Sequence, residues 1–361
     1  MLQEELKKRM VPDVLQFNDG RKVVTKDDWA ARRKEIIHLL CSQEYGFPPA
    51  IPEKWSAEIE SEDKNYCGGT VTLSKIMLNL ELREGNYQFP MYSAIPNRVE
   101  KKIPAFVHIC FRDNIPDKYM PVEEICDNGF AIFAFCYQDI VPDKKEGLSE
   151  GLGGLIFQGR KRNPEDCGAI ALWAWAASRV MDYVQTIDSI DRSKIAVVGH
   201  SRLGKTALLA GGLDPRFSYV ISNDSGCSGA AITREKTGEH ILHITRTFPH
   251  WFCENYTRYA EKEHLLPFDQ HFLLALSAPR KVYVGSATLD QWADPYSEYL
   301  SCVAAGPVFE LLGLKGFIHP NEYPKGGDEF HEGNIAYHLR AGTHYFSRYD
   351  WHRYMEYIKR T

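Results

Sequence analysis

The sequence predicts an α/β fold with a doubly wound, mainly parallel sheet and an N-terminal antiparallel edge meander, and three observations carry that prediction. Two short runs, "IPAFVHICF" (103–111) and "GFAIFAFCY" (129–137), are almost wholly apolar, as strands are when helices cover both faces of their sheet. The stretch from Gly68, "GGTVTLSKIMLNLELREGNYQFPMYSAIPN", alternates apolar and polar residues, the pattern of a hairpin or meander at a sheet edge. Beyond residue 103, strand-like and helix-like segments alternate, which is the order that builds parallel βαβ units.

The elements follow in chain order. Residues 27–45 have helical periodicity and an Asp-rich start, and the prolines of "YGFPPAIPEKW" end that helix, so residues 1–60 read as a helical and extended lead-in. After the meander and the two apolar strands, residues 138–166 are polar and glycine-rich and read as a surface insertion loop; a loop of that length in a compact domain is either an insertion or functional. Residues 167–187 form a helix apolar on most of its surface. "SKIAVVG" (193–199) is a buried strand and "GKTALLAGGL" opens the next helix. Strands are expected at 217–224 and 281–287. The helical segment "YSEYLSCVAAGPVFELLG" comes next, followed by a loop holding "YPKGGDEFHEGNIAYHLRAGTHYF" and a terminal helix from "DWHRYMEYIKR". No repeat or linker divides the chain, so residues 1–361 are expected to form one domain.

Composition narrows the function classes. A chain of 361 residues buries a large core without staples. Its net charge of −5 gives no electrostatic case for nucleic acid or an anionic membrane, and no run is apolar for the ~18 residues a membrane span needs. Nine cysteines lack any CxxC pair, and Cys110 and Cys136 lie inside apolar runs, which reads as buried thiols in a reducing compartment. The first residues, "MLQEELKKRMVPDVL", lack the apolar core of an export signal. Together these point to the cytoplasm, although a chain trimmed from a secreted or periplasmic precursor would read alike. The protein is expected to be a monomer.

"VVGHSRLGKT" (197–206) carries the chemistry and fits two templates. As Gly199-x4-Gly204-Lys205-Thr206 it is a phosphate-binding P-loop. Around Ser201 it is a near match to a nucleophile elbow, a serine on a sharp turn between strand and helix. A P-loop usually follows the first strand of its domain, and this strand comes after at least four others. The elbow demands more: an acid and then a histidine must follow the serine, each in a loop after a strand. Asp224, ending "YVISND", and Asp290, in "VGSATLDQWADP", are the candidate acids. His344, in "RAGTHYF", is the candidate base; His338 competes but sits in "IAYHL", which reads as strand or core. A serine hydroxyl is a weak nucleophile, so a histidine must take its proton while a carboxylate fixes the imidazole tautomer. His250 and Trp251 are candidates to line the pocket. Metal sites are not expected: "HEGNIAYH" lacks HExxH spacing, and His240 and His243 have no obvious third ligand.

"GHSRLGK" resembles the Gly-Cys-Ser-Arg-x-Gly-Lys signature of the glucuronoyl esterases, with His200 in place of cysteine. "SNDSGCSGAA", "FPHWFC", "DQWADP" and "AGTHYF" extend the resemblance to the bacterial branch of that family, over roughly residues 70–355. The resemblance implies an α/β-hydrolase fold and a cofactor-free serine esterase. Its substrate would be the ester between 4-O-methyl-glucuronic acid on a xylan-derived saccharide and a lignin alcohol. It also implies Ser201 as nucleophile, His344 as base and Arg202 at the oxyanion. Lys205, Glu239 and Trp292 would meet the sugar. Many members place a glutamate where Asp224 stands, while Asp290 holds the commoner hydrolase position and is preferred here. The alternatives are an acetyl xylan or other short-acyl carbohydrate esterase and, remotely, a P-loop nucleotide-binding protein.

Overall fold

Ten strands form one sheet in the order β1-β2-β3-β5-β4-β6-β7-β8-β10-β9 in the computed structural model, which describes residues 1–361. The strands are β1 (Lys54–Asn65), β2 (Val71–Leu82), β3 (Gly85–Pro96), β4 (Ile103–Cys110), β5 (Ala131–Cys136), β6 (Ile190–His200), β7 (Tyr219–Asn223), β8 (Lys281–Ala287), β9 (Glu329–Phe330) and β10 (Ile335–Arg340). The pairs from β5 through β4, β6, β7 and β8 to β10 are all parallel, whereas β1, β2, β3 and β5 pair antiparallel. This is the mainly parallel sheet with an edge meander that the apolar runs predict. β5 is buried along its whole length, as strands covered on both faces are. The helix Ala169–Val184 is apolar on nearly every side and buries Trp173 completely. One apolar core runs from Leu2 to Ile358. No helix is long and apolar enough to cross a membrane.

Three expectations need correction. Residues 54–60 belong to β1, not to an extended lead-in, and every residue of β1 is exposed. With no buried face there is no alternation to read, and its glutamates and lysines suit an open sheet edge. Residues 138–166 are not a mere surface loop: they hold the helix Gly151–Phe157 and bury Ile140, Val141, Leu148, Leu152 and Phe157. Trp173 Nε1 donates to Val141 O at 3.1 Å, which pins this segment to the core. The loop expected at 323–346 contains β9 and β10; only the "IAYHL" within it reads as strand or core, and β10, which takes in that run, is buried throughout. Its polar members are buried because they are paired. His338 Nε2 lies 2.8 Å from Asp350 Oδ1 and its Nδ1 lies 2.9 Å from the Tyr283 hydroxyl.

All nine cysteines are free and eight are buried. Burial pushes the thiols of Cys41, Cys167 and Cys227 up to about 12, so they pack as apolar groups.

The turn Cys41–Tyr45 docks the N-terminal segment against the stretch between β7 and β8. Glu44 O accepts from Cys253 N at 2.9 Å, and the fully buried Glu44 carboxyl accepts from Gln270 Nε2 at 3.1 and 3.2 Å. Burial raises that carboxyl from its ordinary 4.5 to about 8, against the pull of the Gln270 bond. The folded chain therefore keeps a proton that the unfolded chain loses. This stabilisation is complete below pH 4.5 and is lost as pH rises towards 8, on the order of 1.4 kcal/mol per pH unit. Urea unfolding between pH 5 and 8 is expected to show stability falling with pH, and Glu44→Gln is expected to flatten that dependence.

Candidate active site

β6 runs into Ser201, where the backbone takes φ 57 and ψ −125 before the helix Arg202–Leu213 begins. A non-glycine residue at positive φ costs about 1–3 kcal/mol, so the surroundings must hold it. A side chain at Gly199 would put its Cβ 2.0 Å from Leu203 O, and one at Gly204 would sit 3.0–3.1 Å from Ser225 and Asn223. Ser201 N donates to Asn223 O at 2.8 Å, while Gly204 N and Lys205 N donate to Ser201 O. The tight crossing of strand and helix thus requires both glycines. It sets Ser201 in the wall of a cleft of about 340 Å³ that also exposes Asp290, His344, Glu239, Trp251 and Trp292. The N–H of Arg202 opens the helix, where the first N–H groups have no intrahelical acceptor and the helix dipole favours negative charge.

Asp290 and His344 meet because β8 and β10 are parallel neighbours whose following loops are stitched together. Thr288 N donates to Arg340 O at 2.9 Å and Leu289 N to Gly342 O at 2.8 Å. The result is a 2.6 Å bond between His344 Nδ1 and Asp290 Oδ2. His344 is 44% exposed and Asp290 is buried, so the imidazole reaches the cleft while its carboxylate partner is shielded from water. Ser201 and His344 line the same cleft with no hydrogen bond between them, the looser geometry common in unliganded sites.

Asp224, the other candidate acid, is buried near the same histidine, but its Oδ2 accepts from Arg340 Nη2 at 3.3 Å. Burial raises its carboxyl well above the ordinary range, and the nearby Glu298, Asp350 and Asp290 add to this against Arg340. His200 fills the space beneath His344 with ring centroids 4.6 Å apart, and its Nδ1 bonds Asn223 Oδ1 at 2.7 Å. Burial, then the neighbouring His344, lowers His200 to about 3, so it stays a neutral packing imidazole.

Asp143, which no sequence motif marks, holds Arg202. One oxygen pairs with the Arg202 guanidinium and accepts from the Tyr137 hydroxyl at 3.0 Å. The other accepts from Trp251 Nε1 at 2.7 Å and lies 2.8 Å from His250 Nε2. Burial alone would raise this carboxyl, but bonds from His250 and Trp251 and the Arg202 charge outweigh it and hold it at about 2. The Arg202 guanidinium carbon lies 4.7 Å over Trp251 and 5.3 Å over Phe248. His250, expected to line the substrate pocket, does not reach the cleft: it backs onto Asp143 and a neighbouring pocket of about 480 Å³. Asp143 has one sequence cue, an aspartate in the apolar "DIVPD" just past a buried strand, where loops at the carboxyl end of a sheet carry function.

Lys205 is buried, with Nζ donating to Ser225 O at 2.5 Å and Cys227 O at 2.7 Å and lying 3.9 Å from Glu239. Burial lowers its pKa. This overturns the P-loop reading, because the lysine that would reach a phosphate is turned into the 225–227 loop. Thr206, the would-be magnesium ligand, spends its hydroxyl on Arg202 O. Trp292 is 55% exposed at the rim, 5.4 Å from the His243 ring. Asp224, Asp290 and His344 have three donor atoms within 4.8 Å of one another, but Arg340 and the Asp290–His344 bond already engage them. In the second acidic cluster, Glu329 and Glu356 are both paired with Arg353.

The family model for fungal glucuronyl esterases matches residues 81–313. The chain is 32% identical to carbohydrate esterase MZ0003 from an unknown prokaryotic organism, over 98% of this chain and 90% of that protein. It is 30% identical to the 4-O-methyl-glucuronoyl methylesterase of Podospora anserina, over 83% of this chain and 60% of the fungal protein. The solved glucuronoyl esterase from Solibacter usitatus superimposes with a TM-score of 0.88 at 34% identity, over 97% of each chain.

The geometry predicts that a fluorophosphonate probe labels Ser201 covalently, with mass spectrometry locating the adduct. Ser201→Ala is expected to abolish labelling. Asp290→Asn should slow it far more than Asp224→Asn, on the order of 10³-fold or more, because only Asp290 fixes the tautomer of His344. Equal rates in the two aspartate variants would refute that assignment.

Proposed function

The chain belongs to the glucuronyl esterase family, and from that premise we propose that it is a serine hydrolase cleaving esters of 4-O-methyl-glucuronoyl groups on xylan-derived saccharides. The observation that carries this reading is the strained Ser201 elbow opening on the cleft that also holds the bonded pair His344 and Asp290.

Ser201 Oγ attacks the ester carbonyl carbon and His344 Nε2 takes its proton. Asp290 accepts the Nδ1–H bond and stabilises the imidazolium that forms. Negative charge develops on the carbonyl oxygen beside the Arg202 N–H at the helix start and the Arg202 guanidinium that Asp143 and Trp251 hold still. Each strong donor placed there in advance lowers the barrier by about 3–4 kcal/mol. The tetrahedral intermediate collapses, the alcohol leaves with the proton from His344, and water attacks the acyl-enzyme by the same route in reverse.

The acid half of the ester lies toward Lys205, Glu239 and Trp292. Lys205 spends two of its three donors on backbone carbonyls and has one left for a sugar hydroxyl. Trp292 offers an exposed ring face at the rim. A site that only had to accept an acetyl group would need neither.

A benzyl ester of glucuronic acid is the direct assay. It is expected to give a higher kcat/KM than acetylated xylan, and the reverse order would replace this reading with a short-acyl esterase. Ser201→Ala is expected to lose on the order of 10⁶-fold in turnover. Lys205→Met is expected to lower the ratio of glucuronoyl to acetyl kcat/KM by roughly 10- to 100-fold, the worth of a hydrogen bond from a charged donor.

A further inference from the structure

His344 stands on an exposed loop, and the one side chain bonded to its ring is Asp290. Leu289 N and Thr288 Oγ1 hold the loop backbone at Gly342, and on either side of His344 it is held by Arg340, the last residue of β10, whose side chain is only 6% exposed. Arg340 Nη2 donates to Tyr345 O at 2.6 Å and to Thr343 O at 3.1 Å, the two carbonyls that flank His344. The same nitrogen donates to Asp224 Oδ2 at 3.3 Å, and Nε donates to Asp350 Oδ1 at 3.1 Å. The guanidinium carbon also lies 5.1 Å from the centre of the Tyr345 ring. The backbone of Arg340 contributes too, since its carbonyl accepts from Thr288 N in the loop that bears Asp290.

Two further features show that the loop is built around this guanidinium. Gly342 has φ 137, and a side chain there would put its Cβ 2.6 Å from Arg340 Nη1, so the chain passes over the guanidinium where only glycine fits. Asp350, the anchor on the far side, accepts Ser347 N and Ser347 Oγ with its second oxygen and so caps the helix Arg348–Arg360. The loop bearing His344 is therefore tied to β10 at one end and to the helix cap at the other through one side chain.

We propose that Arg340 is the positioning residue for His344, setting the imidazole's place against Ser201 through the carbonyls of Thr343 and Tyr345. This rests on the serine-esterase reading above for the reaction but not for the substrate. It follows that Asp224 serves as an acceptor for Arg340 and not as the acid partner of His344. Lysine cannot replace arginine at this site, because one ammonium nitrogen cannot meet the acceptors gathered at Nη2 and the Asp350 oxygen bonded at Nε together.

The test compares Arg340→Ala and Arg340→Lys with the parent. It measures kcat and KM on the benzyl glucuronate ester, the rate of fluorophosphonate labelling at Ser201, and thermal unfolding, each with and without millimolar guanidinium chloride. In both variants kcat and labelling are expected to fall about 100-fold, the cost of misplacing a reacting group by about an ångström, while KM stays within about threefold. Guanidinium is expected to restore Arg340→Ala at least tenfold and to saturate, with no effect on the parent or on Ser201→Ala. If Arg340→Ala does not fold, Arg340→Lys carries the test alone through its split between kcat and KM. Variants within about threefold of the parent would overturn the proposal. A loss explained entirely by the unfolded fraction, with no guanidinium rescue, would overturn it as well. A parent that labels at Ser201 but cleaves no glucuronoyl ester refutes the substrate reading alone, and Arg340 is then judged on labelling.

Discussion

The Asp290 carboxylate, 2.6 Å from His344 Nδ1, is the contact on which the site depends. An imidazole that is 44% exposed has no other partner to choose its tautomer, and the wrong tautomer presents Ser201 with a proton instead of a lone pair. The bond forms only if the loops after β8 and β10 run side by side, and that requires the two strands to be parallel neighbours in a fixed register, Ile335 opposite Val282 through Arg340 opposite Ala287. A slip of one residue would turn every side chain on β10 to the other face and carry His344 away from Asp290. The apolar filling of β8 and β10 sets the register, so the core and the chemistry are one problem in this fold.

Two aspartates close to one histidine differ through their surroundings. Asp290 keeps a bond to an exposed imidazole. Asp224 is sealed in with Glu298 and Asp350 close by, and Arg340 is the cation paired with both Asp224 and Asp350. Bringing several carboxylates together without water is costly unless protons or cations neutralise them. Here Arg340 serves Asp224 and Asp350 at once, Lys205 stands by Glu239, and Glu298 is pushed up to about 7 by its burial. Asp290 thus keeps its bond to His344 while Arg340 is engaged by the other two aspartates.

What could be read from the sequence was whatever a local pattern fixes. The elbow was legible because its chemistry lies within one strand, one turn and one helix, with Gly199 and Gly204 at the crossing. The buried strands were legible because they are apolar on both faces. β1 was not, since a strand exposed on both faces carries no periodic signal, and β10 was legible only as the strand-like run "IAYHL" inside a longer loop, its apolar pattern broken by the buried, paired His338 and Arg340. Asp143 acts on Arg202, 59 positions away, and its place past a buried strand names no partner; Arg340 is held by Asp224, 116 positions away, and nothing local marks it as partner to a site. The choice between Asp224 and Asp290 had the same difficulty: both follow a strand on the same side of the elbow, and the bond of Asp290 to His344 and the pairing of Asp224 with Arg340, which distinguish them, both span distant parts of the chain.

Arg202 shows how fixed positions and charge combine. A free arginine at a cleft would swing toward any anion and lose side-chain freedom each time it bound one. Here the guanidinium is bound to Asp143, stacked over Trp251 and backed by Phe248, and Asp143 is itself held by Tyr137, His250 and Trp251. The ordering cost is met on folding, so it is not met again as the oxyanion forms. Asp143 also tempers the cation: a guanidinium already paired with a carboxylate attracts the free acid product less than a bare one would. It still stands near the more concentrated charge of the tetrahedral intermediate, which the adjacent Arg202 N–H meets at the start of the helix. The arrangement therefore favours the transition state over the product, and it does so with a residue recruited from the 138–166 segment, outside the elbow itself.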